Sequence, residues 1–220
     1  MEQNEGFIDA MVNSIKYGVS DLGAFLIGGL FTILSAFIIG IPFLLGYITR
    51  CGKELIKGNG KMPAWDDWGG LFKDGLVVIL LAIVYALVIG LLYVLVCPLF
   101  IAGDIFNSNI MLAAGVIFLL PIMLIGGLLG LLFYLSWLVY AATGDLGKAL
   151  NPLNGIKLFM TEPLGYIGVL VGTFLIGIFL SVLGAIVITA PWTGFLGTVS
   201  GAYLYVWFYK KAILKGANIA

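Results

Sequence analysis

The sequence predicts an all-α, polytopic integral membrane bundle, and three observations predict it. Residues 22–49, 75–103, 105–144 and 163–209 contain no Asp, Glu, Lys, Arg or His. Each stretch exceeds the roughly 20 apolar residues that one helical crossing of a ~30 Å hydrocarbon layer requires. Apolar residues make up 62% of the chain and charged residues 10%, against roughly 45–50% and 25% in soluble domains. Backbone groups in lipid must bond within their own segment, so stretches of this length are predicted as helices. With no long hydrophilic insertion, residues 1–220 read as a single membrane domain of five apolar stretches: 22–49, 75–103, 110–143, 164–190 and 192–209. Five or six membrane helices follow, depending on how the first stretch is divided.

Ahead of the first stretch, Phe7, Ile8, Met11, Val12, Ile15 and Val19 recur at three- to four-residue spacing with Asp9, Asn13 and Lys16 between them. This pattern predicts an amphipathic helix over 7–19, lying at the membrane interface. Glu2, Glu5, Asp9 and Asp21 outweigh Lys16 in the first 21 residues, so the basic start of a secretory signal is missing and the N-terminus is expected to be retained.

Two readings fit 22–56. One is a single span, which places the N-terminus outside. The other, favoured here, is a hairpin of two shorter helices broken around Gly40, Ile41 and Pro42, since proline at a break leaves no orphan N–H. Beyond it, Trp65, Trp68 and Phe72 fall at helical spacing within 62–74 and predict an interfacial helix that fixes the depth of the following span. Asn151 and Pro152 form an N-cap followed by proline at the first helical position, which starts a second interfacial helix over 151–162, with Leu153, Ile156, Phe159 and Met160 on one side. Pro191 and Trp192 are expected to make the turn between the last two stretches.

Charge sets the expected orientation. Arg50, Lys53, Lys57, Lys61 and Lys73 cluster in one loop and Lys210, Lys211 and Lys215 near the end of the chain, so the 50–74 loop and the C-terminus are expected on the cytoplasmic side of the cell membrane. The connection at Asp104, Asn107 and Asn109 has no basic residue and is expected outside. Cys51 and Cys97 sit toward opposite faces and are not expected to pair; Cys51 reads as an ordinary small apolar residue. Ile15, Lys16 and Asp21 recur in spacing as Ile156, Lys157 and Glu162, and Lys53–Gly58 resembles Lys211–Gly216, which raises an internal duplication without establishing one.

The most distinctive polar segment is Trp65-Asp66-Asp67-Trp68, with Phe72 and Asp74. Its plain reading is membrane anchoring. A sharper reading makes Asp66, Asp67 and Asp74 a cation or lipid-headgroup site, and a third makes the segment a docking surface for a partner protein. Several motifs here resemble the mostly archaeal membrane proteins grouped as domain of unknown function 4013. They are Ile15-Lys16-Tyr17 with Ser20-Asp21, Gly46-Tyr47 with Arg50, and Met62-Pro63-Ala64-Trp65-Asp66-Asp67-Trp68 with Leu71-Phe72 and Asp74-Gly75. Gly144-Asp145-Leu146-Gly147 with Ala149-Leu150 is similar too. Members usually carry Leu where this chain has Met62. The resemblance implies a multi-span membrane fold in an archaeal setting and no assigned activity.

Small residues four apart form a second pattern. Gly28, Thr32, Ala36 and Gly40 make one stripe and Gly177, Ser181, Ala185 and Thr189 another, and such stripes let helix backbones approach closely. Catalysis finds no parts: there is no histidine, and no Ser, Cys or Tyr has a base in an obvious motif. No catalytic residue, cofactor or metal site is expected. All eleven acids and eleven bases are expected on surface segments, which disfavours proton-coupled transport. The leading expectation is a non-catalytic scaffold, an accessory subunit of a membrane assembly or a lipid-organising component. Its partners would be membrane lipids, further copies of the chain or other membrane subunits, and not nucleic acid. The alternative is a passive channel or transporter for a small solute or lipid, its path beside Tyr85, Tyr134 or Ser136.

Overall fold

The structure, a computed structural model, describes residues 5–219; Glu2 of the acidic N-terminal segment lies outside them. Among the described residues all regular structure is helical. α1 is Phe7–Gly18, α2 Leu22–Ser35 and α3 Gly40–Lys57. The long helices α4, Trp68–Ile105, and α5, Asn109–Thr143, follow. The last four are α6 Leu146–Leu150, α7 Pro152–Thr161, α8 Pro163–Leu183 and α9 Ala190–Leu214. Three of them, α4, α5 and α8, are long and apolar enough to cross a membrane, and α1 with α2, bent by 83° at their junction, would make a fourth. The expected five stretches therefore resolve differently: 22–49 is divided between α2 and α3, and 192–209 lies in α9, where Trp, Tyr, Gly, Ser and Thr dilute the aliphatic residues.

The predicted helices over 7–19 and 151–162 are present as α1 and α7, the latter capped as expected by the Asn151 side chain, which accepts from the Leu153 amide at 3.1 Å. On α7, however, Leu153, Ile156 and Met160 point outward, while Asn154, Gly155 and Leu158 are buried. The hairpin reading of 22–56 matches the structure in kind, with the break at 36–39, just ahead of Gly40. Pro42 instead sits in the first turn of α3, where its missing N–H has no helical acceptor to lose. The same rule moves the last turn: the chain reverses at 184–189, and Pro191 stands inside the first turn of α9.

The helix expected over 62–74 is only half formed. Residues 62–67 run as an irregular strap, and α4 starts at Trp68. Asp67 is the reason: it adopts φ +46°, which ends any helical run through it, and its carboxylate accepts from the Gly70 amide at 3.1 Å to cap α4.

The chain divides into two compact units. The first takes in the chain up to Ile79 and from Leu135 onward; the second is Leu80–Tyr134. In the first unit α9 is the centre, packed by α1, α2, α3, α7 and α8. Phe195, Val199, Leu204, Val206, Phe208 and Ala212 are wholly buried. α2 and α3 form one antiparallel hairpin and α8 and α9 another. The order of a short amphipathic helix, an apolar hairpin and a basic helix end thus occurs twice, in α1–α3 and α7–α9. The packing differs, since α9 is surrounded and α3 is not. Gly28 lies under the ring of Phe195, where a Cβ would stand 2.2 Å from Cζ.

The second unit pairs the distal part of α4 with the proximal part of α5. Gly103 faces Leu112 and Gly115 faces the Phe100 ring. Tyr85 packs edge-on to Phe133 at 6.0 Å. Its turn is polar, with Asp104, Ser108 and Asn107 at φ +47°.

Candidate functional site

Three elements converge on the 62–67 strap. Tyr47 of α3 donates its hydroxyl to the Pro63 carbonyl at 2.7 Å. Arg50, one turn further along, donates to the Asp66 carbonyl at 2.8 Å, to Asp66 Oδ1 at 2.5 Å and to Asp67 Oδ2 at 3.2 Å. From the other side, Ser20 Oγ accepts the Met62 amide at 3.0 Å. These bonds satisfy the backbone of an irregular segment that has no partner strand. They also aim Trp65 inward: it is 8% exposed, stacks on Tyr47 at 3.9 Å and on Phe31 at 4.7 Å, and donates Nε1–H to the Ala24 carbonyl at 2.9 Å. Trp65 therefore locks the α2–α3 hairpin to the strap. Trp68 and Phe72 are each somewhat under half exposed. Trp68 packs on Phe31 at 5.6 Å and Trp65 at 6.1 Å, and Phe72 packs on Phe43 at 5.4 Å. The three predicted aromatic residues thus share one cluster with Phe31 of α2 and Phe43 of α3, although the strap that carries Trp65 is not helical.

The start of α4 is pressed against α3 by a reciprocal glycine contact. A Cβ on Gly46 would lie 1.8 Å from the Leu71 carbonyl oxygen, and one on Gly75 would lie 1.7 Å from that of Pro42. Only glycine permits this approach. Beside it, Asp74 accepts from Lys53 Nζ at 2.7 Å and from the Tyr140 hydroxyl at 2.8 Å, and Trp137 donates to Thr49 Oγ1 at 3.0 Å. Asp66 and Asp67 thus answer Arg50, and Asp74 answers Lys53. The three carboxylates are not brought together as one site: Asp66 and Asp67 share the Arg50 guanidinium and Asp74 pairs with Lys53.

A second polar region was not legible in the sequence. Glu5 is 6% exposed; its carboxylate accepts from Asn13 at 2.7 Å and from the Tyr203 hydroxyl at 3.0 Å, and its carbonyl accepts from Trp207 Nε1 at 3.0 Å. It stands between two clefts. One, of about 580 Å³, is lined by Asp9, Lys16, Lys61 and Tyr17 among others. The other, of about 500 Å³, is lined by Lys57, Trp207, Lys210 and Lys211 with Ile213 and Leu214. Burial lowers the Lys210 ammonium below its ordinary value, partly opposed by Glu5, and Lys211 lies over the Trp207 ring at 4.0 Å.

Glu162, also buried, pairs with Lys215. Glu5 and Glu162 both lie outside the charge-free stretches, yet each is buried within the fold against residues of α9 or just beyond it. Tyr203 and Trp207, four apart on one helix face, were the readable trace of this region. Cys51 is buried and Cys97 exposed, both free thiols. Burial pushes the Cys51 thiol up to about 12.

Of the small-residue stripes, Gly28 and Thr32 share α2, Ala36 falls in the turn and Gly40 opens α3. Gly177 and Ser181 are exposed on α8, while Ala185 and Thr189 lie in the 184–189 turn. Neither stripe runs along one helix.

Helices long and apolar enough to cross a membrane, a latched polar strap and a core helix packed by five others make an all-helical protein compatible with a membrane setting. The chain belongs to the family described as Protein of unknown function (DUF4013), whose profile matches residues 12–189. The match takes in the whole Arg50 latch and leaves Glu5, Tyr203 and Trp207 outside it. No curated protein and no solved structure matches the chain.

Proposed function

We propose that this protein is a non-catalytic scaffold or accessory subunit embedded in the cell membrane, where it packs against lipid and other membrane proteins. The observation that carries this reading is the direction of burial. The interior around α9 is filled by interlocking rings, with Phe195 against Tyr47 at 5.8 Å and Trp65 at 6.3 Å. Meanwhile Leu26 and Leu30 of α2 and Phe174, Phe179 and Val182 of α8 face outward. Apolar faces of that kind require lipid or a protein partner to cover them. The exposed Ile8, Val12 and Val19 of α1 and Leu153 and Met160 of α7 suit helices at the interface. By the distribution of Lys and Arg, the 50–74 loop and the C-terminal end face the cytoplasm and the Asp104–Asn109 turn faces out.

The alternative, passive passage of a small solute or lipid, draws on the clefts beside Glu5. Their lining includes none of Tyr85, Tyr134 or Ser136, the residues where a path was expected. Reconstitution into sealed vesicles separates the two. The scaffold reading expects no release of trapped small solutes above that of empty vesicles. A saturable flux that Glu5→Ala and Tyr203→Phe abolish would overturn it in favour of transport.

A further inference from the structure

Of the three helical hairpin turns, those at 36–39 and 106–108 solve the same steric problem with different residues. At each, one residue takes the left-handed conformation: Asn107 at φ +47° in the α4–α5 turn, and Ile38 at φ +69° in the α2–α3 turn. Asn is a usual choice there, since its short polar side chain tolerates that region and hydrogen-bonds locally, as suits a turn in water. A β-branched residue is not, since its Cβ crowds the following carbonyl in the left-handed state. That cost is offset only if the side chain gains more elsewhere, and within the chain it gains nothing: Ile38 is 75% exposed, with Phe37 and Ile39 exposed on either side. Hydrocarbon around the tip would supply that gain.

The turn is also built to do without water. The amides of Ala36, Phe37, Ile38, Ile39 and Ile41 donate to the carbonyls of Ile33, Leu34, Ser35, Phe37 and Ile38 at 2.8–3.1 Å. Ser35 Oγ donates to the Phe31 carbonyl at 2.8 Å, and Pro42 has no amide to satisfy. Backbone polar groups at lipid depth have to be met within the protein, and these five donors are.

Length fixes how far the tip reaches. Arg50 is tied to the polar strap, and the rise from Arg50 to Ile38 is about 18 Å at 1.5 Å per residue, short of the ~30 Å hydrocarbon thickness. α2, with 14 residues, spans about 21 Å by the same rise. From this we infer that the α2–α3 hairpin is re-entrant: it enters the bilayer from the side that carries the strap, ends with Phe37, Ile38 and Ile39 among acyl chains near the midplane, and returns without crossing.

The inference rests on the membrane reading above, and one set of vesicles tests both. Ile38→Cys and Lys61→Cys are each placed in a Cys97→Ser background, with buried Cys51 retained. Vesicles are washed with alkaline carbonate, probed with an impermeant maleimide from each side, and the nitroxide-labelled Ile38→Cys protein is probed with oxygen and a water-soluble nickel chelate. The re-entrant hairpin predicts a protein retained after carbonate. Position 61 is labelled from one side only and position 38 from neither, and the nitroxide at 38 collides with oxygen and not with nickel. Labelling of position 38 from the side opposite 61 would mean a crossing hairpin, and labelling from the same side a tip outside the bilayer; either overturns the inference while the membrane reading stands. Release by carbonate overturns both.

Discussion

At the scale of single residues, the strap is held by one guanidinium and one indole, and their contributions differ in kind. Arg50 is mostly buried, but its carboxylate partners are largely exposed, so solvent screens those pairs and each is worth at most about 0.5–1 kcal/mol. The bond to the Asp66 carbonyl remains when a carboxylate is removed. Asp66→Ala is therefore expected to lower stability by less than about 0.5 kcal/mol, and Arg50→Ala, which frees strap carbonyls as well, by about 1–3 kcal/mol. Thermal unfolding in detergent reads the difference. Trp65→Ala removes a ring stacked on two others and leaves a cavity, with an expected loss of about 3–5 kcal/mol. Cys51, buried and with its thiol held at about 12, is expected to stay unmodified by iodoacetamide at pH 8 in the folded protein and to react once the chain is unfolded. Rapid alkylation of the native Cys51 would contradict the packing described around it. The unusual pairing of two tryptophans with two acids set Trp65, Asp66 and Asp67 apart in the sequence. Their roles were not legible, because helical spacing cannot show that Asp67 turns left-handed and that Arg50, earlier in the chain, captures the carbonyls between them. Glu5 was illegible for a simpler reason: its partner Tyr203 is 198 positions away.

At the scale of elements, the closest contact in the first unit joins α3 to the first turns of α4 through Gly46 and Gly75. Either substitution to Ala drives a methyl group into a backbone carbonyl that has no rotamer through which to yield. Each is expected to destabilise by about 1–3 kcal/mol through forced separation of the helices. Gly177→Leu makes the contrasting case. Nothing lies within 4 Å of a Cβ at that position, so the isolated chain is expected to change by less than about 0.5 kcal/mol, whereas an assembly that docks α8 through Gly177 would be lost. Unfolding and native mass of the three variants check both statements. Small-residue spacing in the sequence therefore pointed to the right kind of residue and, at Gly28, to the right contact. It erred where a stripe ran through a turn, as at Ala36, Ala185 and Thr189, because a four-residue period is continuous in the sequence even where the helix is not. Helix limits were readable where Asn151 and Pro152 marked them. They slipped at Pro42 and Pro191, which look like breaks and act as first-turn residues.

At the scale of the whole molecule, the charge-free stretches carry the membrane reading, and the structure adds what they could not: which apolar faces close on each other and which stay open. α9 is enclosed by five other helices although it is less apolar than α4, α5 and α8, so an aromatic helix read as a final span is the core of its unit. The outward faces of α2 and α8 remain uncovered by the chain itself. If the protein is a scaffold, those faces meet lipid or other subunits in a defined way. Native mass spectrometry of the protein released from its own membranes in lipid nanodiscs measures this directly. The expected result is a discrete species heavier than one chain of 23.6 kDa, containing further copies, another membrane protein or a fixed complement of lipid. A single chain that emerges bare, with the same mass whatever the surrounding lipid, would contradict it.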